Sequence, residues 1–198
     1  FGYMAFARMV SGMGTTIFAA HSIAITAEQI VYIPGYGLRV ATSTLVGNAL
    51  GEKDIRKLKA TERVSILITL LIMVVNGIGL YLFAYPFMRL FTNSVNAARI
   101  GSEMLRLVSF SEPFFGLMIV LEGISYGMGR TKHVFACEAV SMWGIRIFGT
   151  FLCVNVFGLG LKAVWLCMIA DNICKAILLY IFRPKHVEEN ADDRGELR

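Results

Sequence analysis

The chain contains a succession of apolar runs, most of them close to or beyond the ~20 residues an α-helix needs to cross a ~30 Å hydrocarbon layer. A soluble core of this size has no room for them all. Hydrophobic residues make up 56% of the 198 positions and charged residues only 17%, whereas a soluble domain carries roughly 25% charge. Mean hydropathy is +0.63. The fold class expected is all-α, a polytopic transmembrane helical bundle.

Apolar length and helix-breaking residues divide the chain into six spans, at residues 1–14, 20–49, 64–91, 103–129, 134–157 and 160–182. The chain starts inside a helix, so the first span reads as truncated and the sequence as a segment of something longer. The lobe is assigned to 1–186. The polar tail 187–198 has too few apolar residues to pack and is expected to be disordered and cytoplasmic. "GEKDIRKLKATER", "GRTKH" and "RPKH" concentrate Lys and Arg, whereas "GMGTTIF", "RLFTNSVNAAR" and "FGLGLK" carry few or none. Short basic loops stay in the cytoplasm. Every loop fits one alternating scheme, with both ends cytoplasmic in a multi-pass protein of the cell (plasma) membrane.

"GTTIFAAHSIAI", then "YIPGYGLRVATSTLVGNALGEKD" and "GISYGMGRTKH" resemble the multidrug and toxic compound extrusion (MATE) family. The resemblance covers nearly all of the chain except the tail, and corresponds to the C-terminal six helices of a twelve-helix transporter. It implies two lobes across a central cavity, exporting drug-like, often cationic organic compounds in exchange for H⁺ or Na⁺. The partners implied are membrane lipid, such small molecules and a missing N-terminal lobe. The family's acidic residue on its seventh helix falls before Phe1. A second acid, on the tenth, falls near Phe115, which is not acidic; Glu112 and Glu122 are the available substitutes.

Within the longest of these motifs, Pro34 removes a backbone donor and loosens the second span, and Gly35 adds conformational freedom. Two readings stand for this helix kink: a moving hinge, or a static packing bend. Gly47 and Gly51 lie four apart and suit close helix approach, and Gly51 is expected to close the helix.

A charge near the bilayer midplane costs at least ~2.5–3.5 kcal/mol, so it needs a partner or a wet cavity. Depth counting pairs Arg146 with Asp171, as a structural or gating ion pair; Lys175 either shares the carboxylate or snorkels. Arg39 and Glu122 share a depth in the inner half. Glu28 and Glu112 share one in the outer half, where a partly dehydrated carboxyl can bind and release a cation or proton within a cycle. Glu28, Glu112 and Glu122 are therefore the cation/proton-coupling candidates. Tyr32, Tyr36, Phe115 and Trp143 are the substrate-cavity candidates, because aromatic faces hold organic cations. Packing against lipid and neighbouring helices also explains such residues.

No metal-ligand spacing links the four cysteines, and no cofactor beyond the coupling ion is expected. The basic residues follow topology rather than a nucleic-acid face. No nucleotide-binding, metalloprotease or nucleophile motif appears, so no enzyme is expected. The alternative to an antiporter is a lipid-linked oligosaccharide flippase of the same superfamily, which needs cations lining its cavity.

Overall fold

The computed structural model describes residues 2–182. The tail assigned to 187–198 and the basic "RPKH" at 183–186 lie outside the described residues. Eight α-helices and two π-helical segments run in order: α1 Gly2–Ser11, α2 Thr15–Gly51, α3 Ile55–Arg89, α4 Val95–Ser109, α5 Glu112–Gly127, α6 Thr131–Ser141, a π segment Met142–Ile147, α7 Phe148–Phe151, a second π segment Leu152–Val156, and α8 Leu161–Ile181. Among the described residues no strand occurs. Four rods are long and apolar enough to cross a membrane: α2, α3, Thr131–Val156 and α8. The α4–α5 pair makes a fifth if counted as one span.

Three expectations need correction. The loop expected at 51–63 is mostly helix, because α3 starts at Ile55. Its N-cap, Asp54, accepts a hydrogen bond from the Lys57 amide at 2.9 Å, which satisfies an otherwise unpaired end group. α2 does end at Gly51, as expected, but Gly51 does not supply the left-handed turn. Lys53 does, with φ 57°.

The fourth span, expected unbroken over 103–129, bends by 61° between α4 and α5. Pro113 explains the break. Its ring has no N–H and cannot sit over the carbonyl of Ser109 four residues earlier. Hydroxyls repair part of the loss: Ser109 donates to the Arg106 carbonyl at 2.7 Å and Ser111 to that of Val108 at 2.8 Å. Pro34, by contrast, lies inside a helix that continues from Thr15 to Gly51. There Asn76 of α3 donates its side-chain amide to the Val31 carbonyl at 3.1 Å. That bond ties α3 to α2 one residue past the Ile30 carbonyl, which is the one Pro34 leaves without its helical donor.

Close packing is set by glycines on α5. A Cβ on Gly123 would stand 2.7 Å from the Arg39 carbonyl of α2, and one on Gly127 2.6 Å from that of Ser43. Gly35 meets Met73 at 3.0 Å, whereas Gly37 and Gly51 face open space. The tightest approach is therefore at Gly123 and Gly127. Gly47 faces the same contact, where a Cβ would meet the Gly127 carbonyl at 3.5 Å, and of the expected pair only Gly51 lies outside it.

Buried apolar residues form two clusters. One contains Ala24, Ala27, Leu80, Ala84, Val108, Trp165 and Met168, the other Tyr32, Met73, Phe115, Ile119, Ala176 and Leu179. On every long rod the switch from one cluster to the other falls at polar positions: Glu28 on α2, Asn76 on α3, Ser109 to Glu112 at the α4–α5 break, and Asp171 to Lys175 on α8. Arg146 and Ser141 supply the fifth span's share; both are buried, as are Glu28, Glu112 and Asp171, while Asn76 is half-buried. The core is two apolar halves with a polar layer between them.

Gly123→Ala and Gly127→Ala force α2 and α5 apart and should each destabilise the protein by about 1–3 kcal/mol. Gly37→Ala should cost nothing. Thermal unfolding in detergent measures the difference, and equal effects at Gly123 and Gly37 would refute the packing described.

Candidate functional site: a buried charge layer

Asp171 is fully enclosed. Arg146 Nε approaches its Oδ2 to 3.1 Å and Lys175 Nζ approaches the same oxygen to 3.2 Å. The Arg146 contact is an ion pair rather than a well-aligned hydrogen bond. Ser141 donates its hydroxyl to Oδ1. Lys175 lies one turn beyond Asp171 on the same helix, while Arg146 comes from the π segment across the way. Arg146 also rests over the Phe6 ring, 5.8 Å from its centroid.

Around that pair the first two helices add His21, which accepts a hydrogen bond from Trp165 Nε1 at 3.1 Å and packs 5.7 Å from Phe6. His21 sits in the second turn of a helix that starts at Thr15, so it is an internal hydrogen-bond anchor rather than a helix cap.

Glu28 and Glu112 are both buried, and neither points at lipid. Tyr32, one turn along α2, donates to Glu28 Oε1 at 2.6 Å. Its ring stacks on Phe115, with centroids 3.7 Å apart and planes at 14°. Glu112 begins α5 just past the break, and both its carboxylate oxygens lack a hydrogen-bond partner among the described residues. Gly77 of α3 leaves room for it. A Cβ there would meet the Ser109 carbonyl at 2.7 Å and Glu112 Cβ at 3.2 Å. The charges of Glu28 and Glu112 act on each other, and Arg146 acts electrostatically on Glu28.

Arg39 and Glu122 meet away from this layer. Arg39 Nη1 donates to Glu122 Oε2 at 3.0 Å, with side-chain exposures of 31% and 3%. The guanidinium also lies 5.1 Å from the Tyr36 ring centroid and 5.9 Å from that of Tyr126. Glu122 therefore sits in a salt bridge, apart from the other two acids with which the sequence grouped it.

The four aromatics proposed for one cavity do not form one. Tyr32 and Phe115 are buried against each other, and Tyr36 touches Phe115 edge-on at 6.2 Å with 40% of its surface free. Trp143 stands elsewhere, 56% exposed, in a cleft of about 600 Å³ that it lines with Arg8, Ile147 and Phe148. Helical spacing alone cannot foresee this, because the π turn at Met142–Ile147 resets which face Trp143 occupies. Sequence reasoning also missed Asn76, Ser141 and Gly77 as members of the layer. Their signal was the shared depth of small polar residues on apolar helices.

The MatE family model matches residues 1–152 of the chain. The chain belongs to the MatE family. A probable multidrug resistance protein NorM of Thermotoga maritima is 30% identical over 183 residues, covering 91% of this chain and 39% of that protein. A second NorM, of Photorhabdus laumondii, is 28% identical and covers 85% and 38% of the two chains. The chain thus spans about two fifths of the length of these curated relatives. Among solved structures, the eukaryotic MATE transporter AtDTX14 superposes with a TM-score of 0.84 at 21% identity, covering 98% of this chain and 45% of that one. These likenesses establish a membrane-embedded MATE lobe fold.

The asymmetry of the Arg39–Glu122 pair dictates an order of stability. Arg39→Ala strands an enclosed carboxylate and should cost about 3–5 kcal/mol. Glu122→Gln leaves only a part-exposed guanidinium and should cost less. The double variant should recover part of the loss of Arg39→Ala, as read by unfolding in detergent.

Proposed function

We propose that this chain is the C-terminal lobe of a secondary antiporter of the cell membrane. It acts with a second, N-terminal lobe to export drug-like, often cationic organic compounds in exchange for H⁺ or Na⁺. The names of the NorM relatives support the substrate class. The observation that carries the coupling reading is the charge count of the polar layer. Among the described residues three acids, Glu28, Glu112 and Asp171, face two bases, Arg146 and Lys175. The layer is one positive charge short.

A monovalent cation, proton or Na⁺, makes up that deficit at Glu28 and Glu112. These two acids act on each other in an enclosed space, and Glu112 offers two oxygens without hydrogen-bond partners. Transporters place their ion sites near the midplane where helices are discontinuous. The α4–α5 break sits directly before Glu112. Loading by the cation neutralises the layer, and its release leaves a charge imbalance that favours a different packing of the lobe. Alternating access then follows as population shift, because a ligand moves a two-state equilibrium only by its differential affinity.

Organic substrate contacts fall to the exposed aromatic edge of this lobe, where Tyr36 lies beside Arg39. A flippase holding a lipid diphosphate would use cations turned to its cavity. Here Arg39 and Arg146 are each engaged with a carboxylate, which favours the antiporter.

In the complete two-lobe transporter reconstituted in liposomes, Glu112→Gln should abolish ion-driven dye export while expression and folding stay normal. Na⁺ and pH gradients imposed separately identify the coupling ion. Undiminished export by Glu112→Gln would remove this acid from the mechanism.

A further inference from the structure

We infer that Arg146 is a mobile counter-ion, held by Asp171 when the coupling cation is bound and drawn toward Glu28 when it leaves. This rests on the antiporter reading above and assigns to the Arg146–Asp171 pair a part in the ion cycle rather than only in packing.

Three features of the layer lead here. Asp171 has two cationic partners and a hydroxyl donor. It therefore stays compensated by Lys175 and Ser141 if Arg146 departs. Among the described residues Glu112 has no hydrogen-bond partner, and Glu28 has the Tyr32 hydroxyl but no ion pair. An oversupplied acid thus stands beside two undersupplied ones. Arg146 links them electrostatically, since its charge acts on His21, Glu28 and Tyr32.

The backbone under Arg146 suits such movement. It lies in the π-helical segment Met142–Ile147, with Gly144 facing open space two residues earlier. A π turn holds its hydrogen bonds less well than an α turn and recurs at functional sites. The Phe6 ring under the guanidinium offers a face along which a cation slides without losing all its partners. The groups that bear on Glu28 are Tyr32 from its own helix, Glu112 from α5 and Arg146 from the π segment; Asp171 and Lys175 of α8 and His21 of α2 surround Arg146.

Arg146 then competes with the coupling cation for one site, which gives the lobe a built-in means of expelling it. Without a competitor, two acids in an apolar shell would hold a cation too firmly to release it in each cycle.

The test measures the half-saturating concentration of the coupling ion for dye export by the complete transporter in liposomes. Arg146→Gln removes the competitor, so that concentration should fall about threefold to tenfold, with slower maximal turnover. Asp171→Asn releases Arg146 toward Glu28 and should raise it by a similar factor. Arg146→Lys keeps the charge and should restore the value to within about twofold. A pair that serves packing alone predicts lower protein yield or lower maximal rate in all three, with the half-saturating concentration unchanged, and that result would overturn the inference. If Asp171→Asn does not fold, equal shifts in Arg146→Gln and Arg146→Lys overturn it instead. Absence of any ion-driven export in the unsubstituted transporter would remove the antiporter reading and this inference together. Ion-driven export that Arg146→Gln leaves unshifted removes the inference alone.

Discussion

A charge enclosed among apolar helices has to be matched within the lobe, because water and lipid headgroups lie too far away to do it. In this lobe the Arg39–Glu122 pair meets that requirement by itself, and Arg146, Lys175 and Asp171 meet it in one stratum. The two apolar clusters stop at the same level on α2, α3, the α4–α5 break and α8, and the residues between them are carboxylates, cations, an amide and hydroxyls. Matching across helices fixes which rods are neighbours and at what height. Arg146 ties the fifth span to α8 through Asp171, and Asn76 ties α3 to α2 through the Val31 carbonyl. The apolar halves can then pack by shape alone, since lipid tails provide no hydrophobic drive for one helix pairing over another.

Where the rods touch, backbone supplies the contact. Gly123 and Gly127 admit the carbonyls of Arg39 and Ser43, so α2 and α5 approach as closely as two helices can. That proximity puts Arg39 within reach of Glu122, one residue before Gly123. On the other side of the lobe, Gly77 performs the same service for the broken end of α4 and for Glu112. A proline makes the break and a glycine on the next helix houses it. The site therefore owes its geometry to residues that carry no charge.

Much of this was legible in the sequence. The Arg146–Asp171 and Arg39–Glu122 contacts and the inward placing of Glu28 and Glu112 followed from depth counted in residues. That quantity changes little when a helix rotates. Of the six spans expected, only four, or five with the bent pair, are long and apolar enough to cross a membrane among the described residues. Facing direction was harder to read. Trp143 lies on a π turn, which shifts the angular register of everything around it, so its grouping with Tyr36 and Phe115 failed. The 61° bend was also missed. Pro34 drew the attention because it sits in a glycine-rich motif, yet its helix continues past it. Pro113 opens α5, a position prolines often occupy, and there the preceding helix ends. Whether a membrane proline bends its helix depends on what neighbouring side chains offer the freed carbonyls, and a single sequence does not carry that information.

The two kinds of acid in the lobe differ in what their surroundings ask of them. Glu122 is answered by one cation, whose removal leaves a stranded charge, whereas Asp171 is answered by two cations and a hydroxyl and keeps a partner when one of them leaves. Glu28 has only a tyrosine hydroxyl, and Glu112 has no hydrogen bond among the described residues. An incomplete shell of this kind costs folding energy, since a buried polar group without a partner is destabilising. In the antiporter proposed above, the coupling cation is what completes it. For Glu112 that cost falls at the break in α4–α5, where the backbone is already discontinuous.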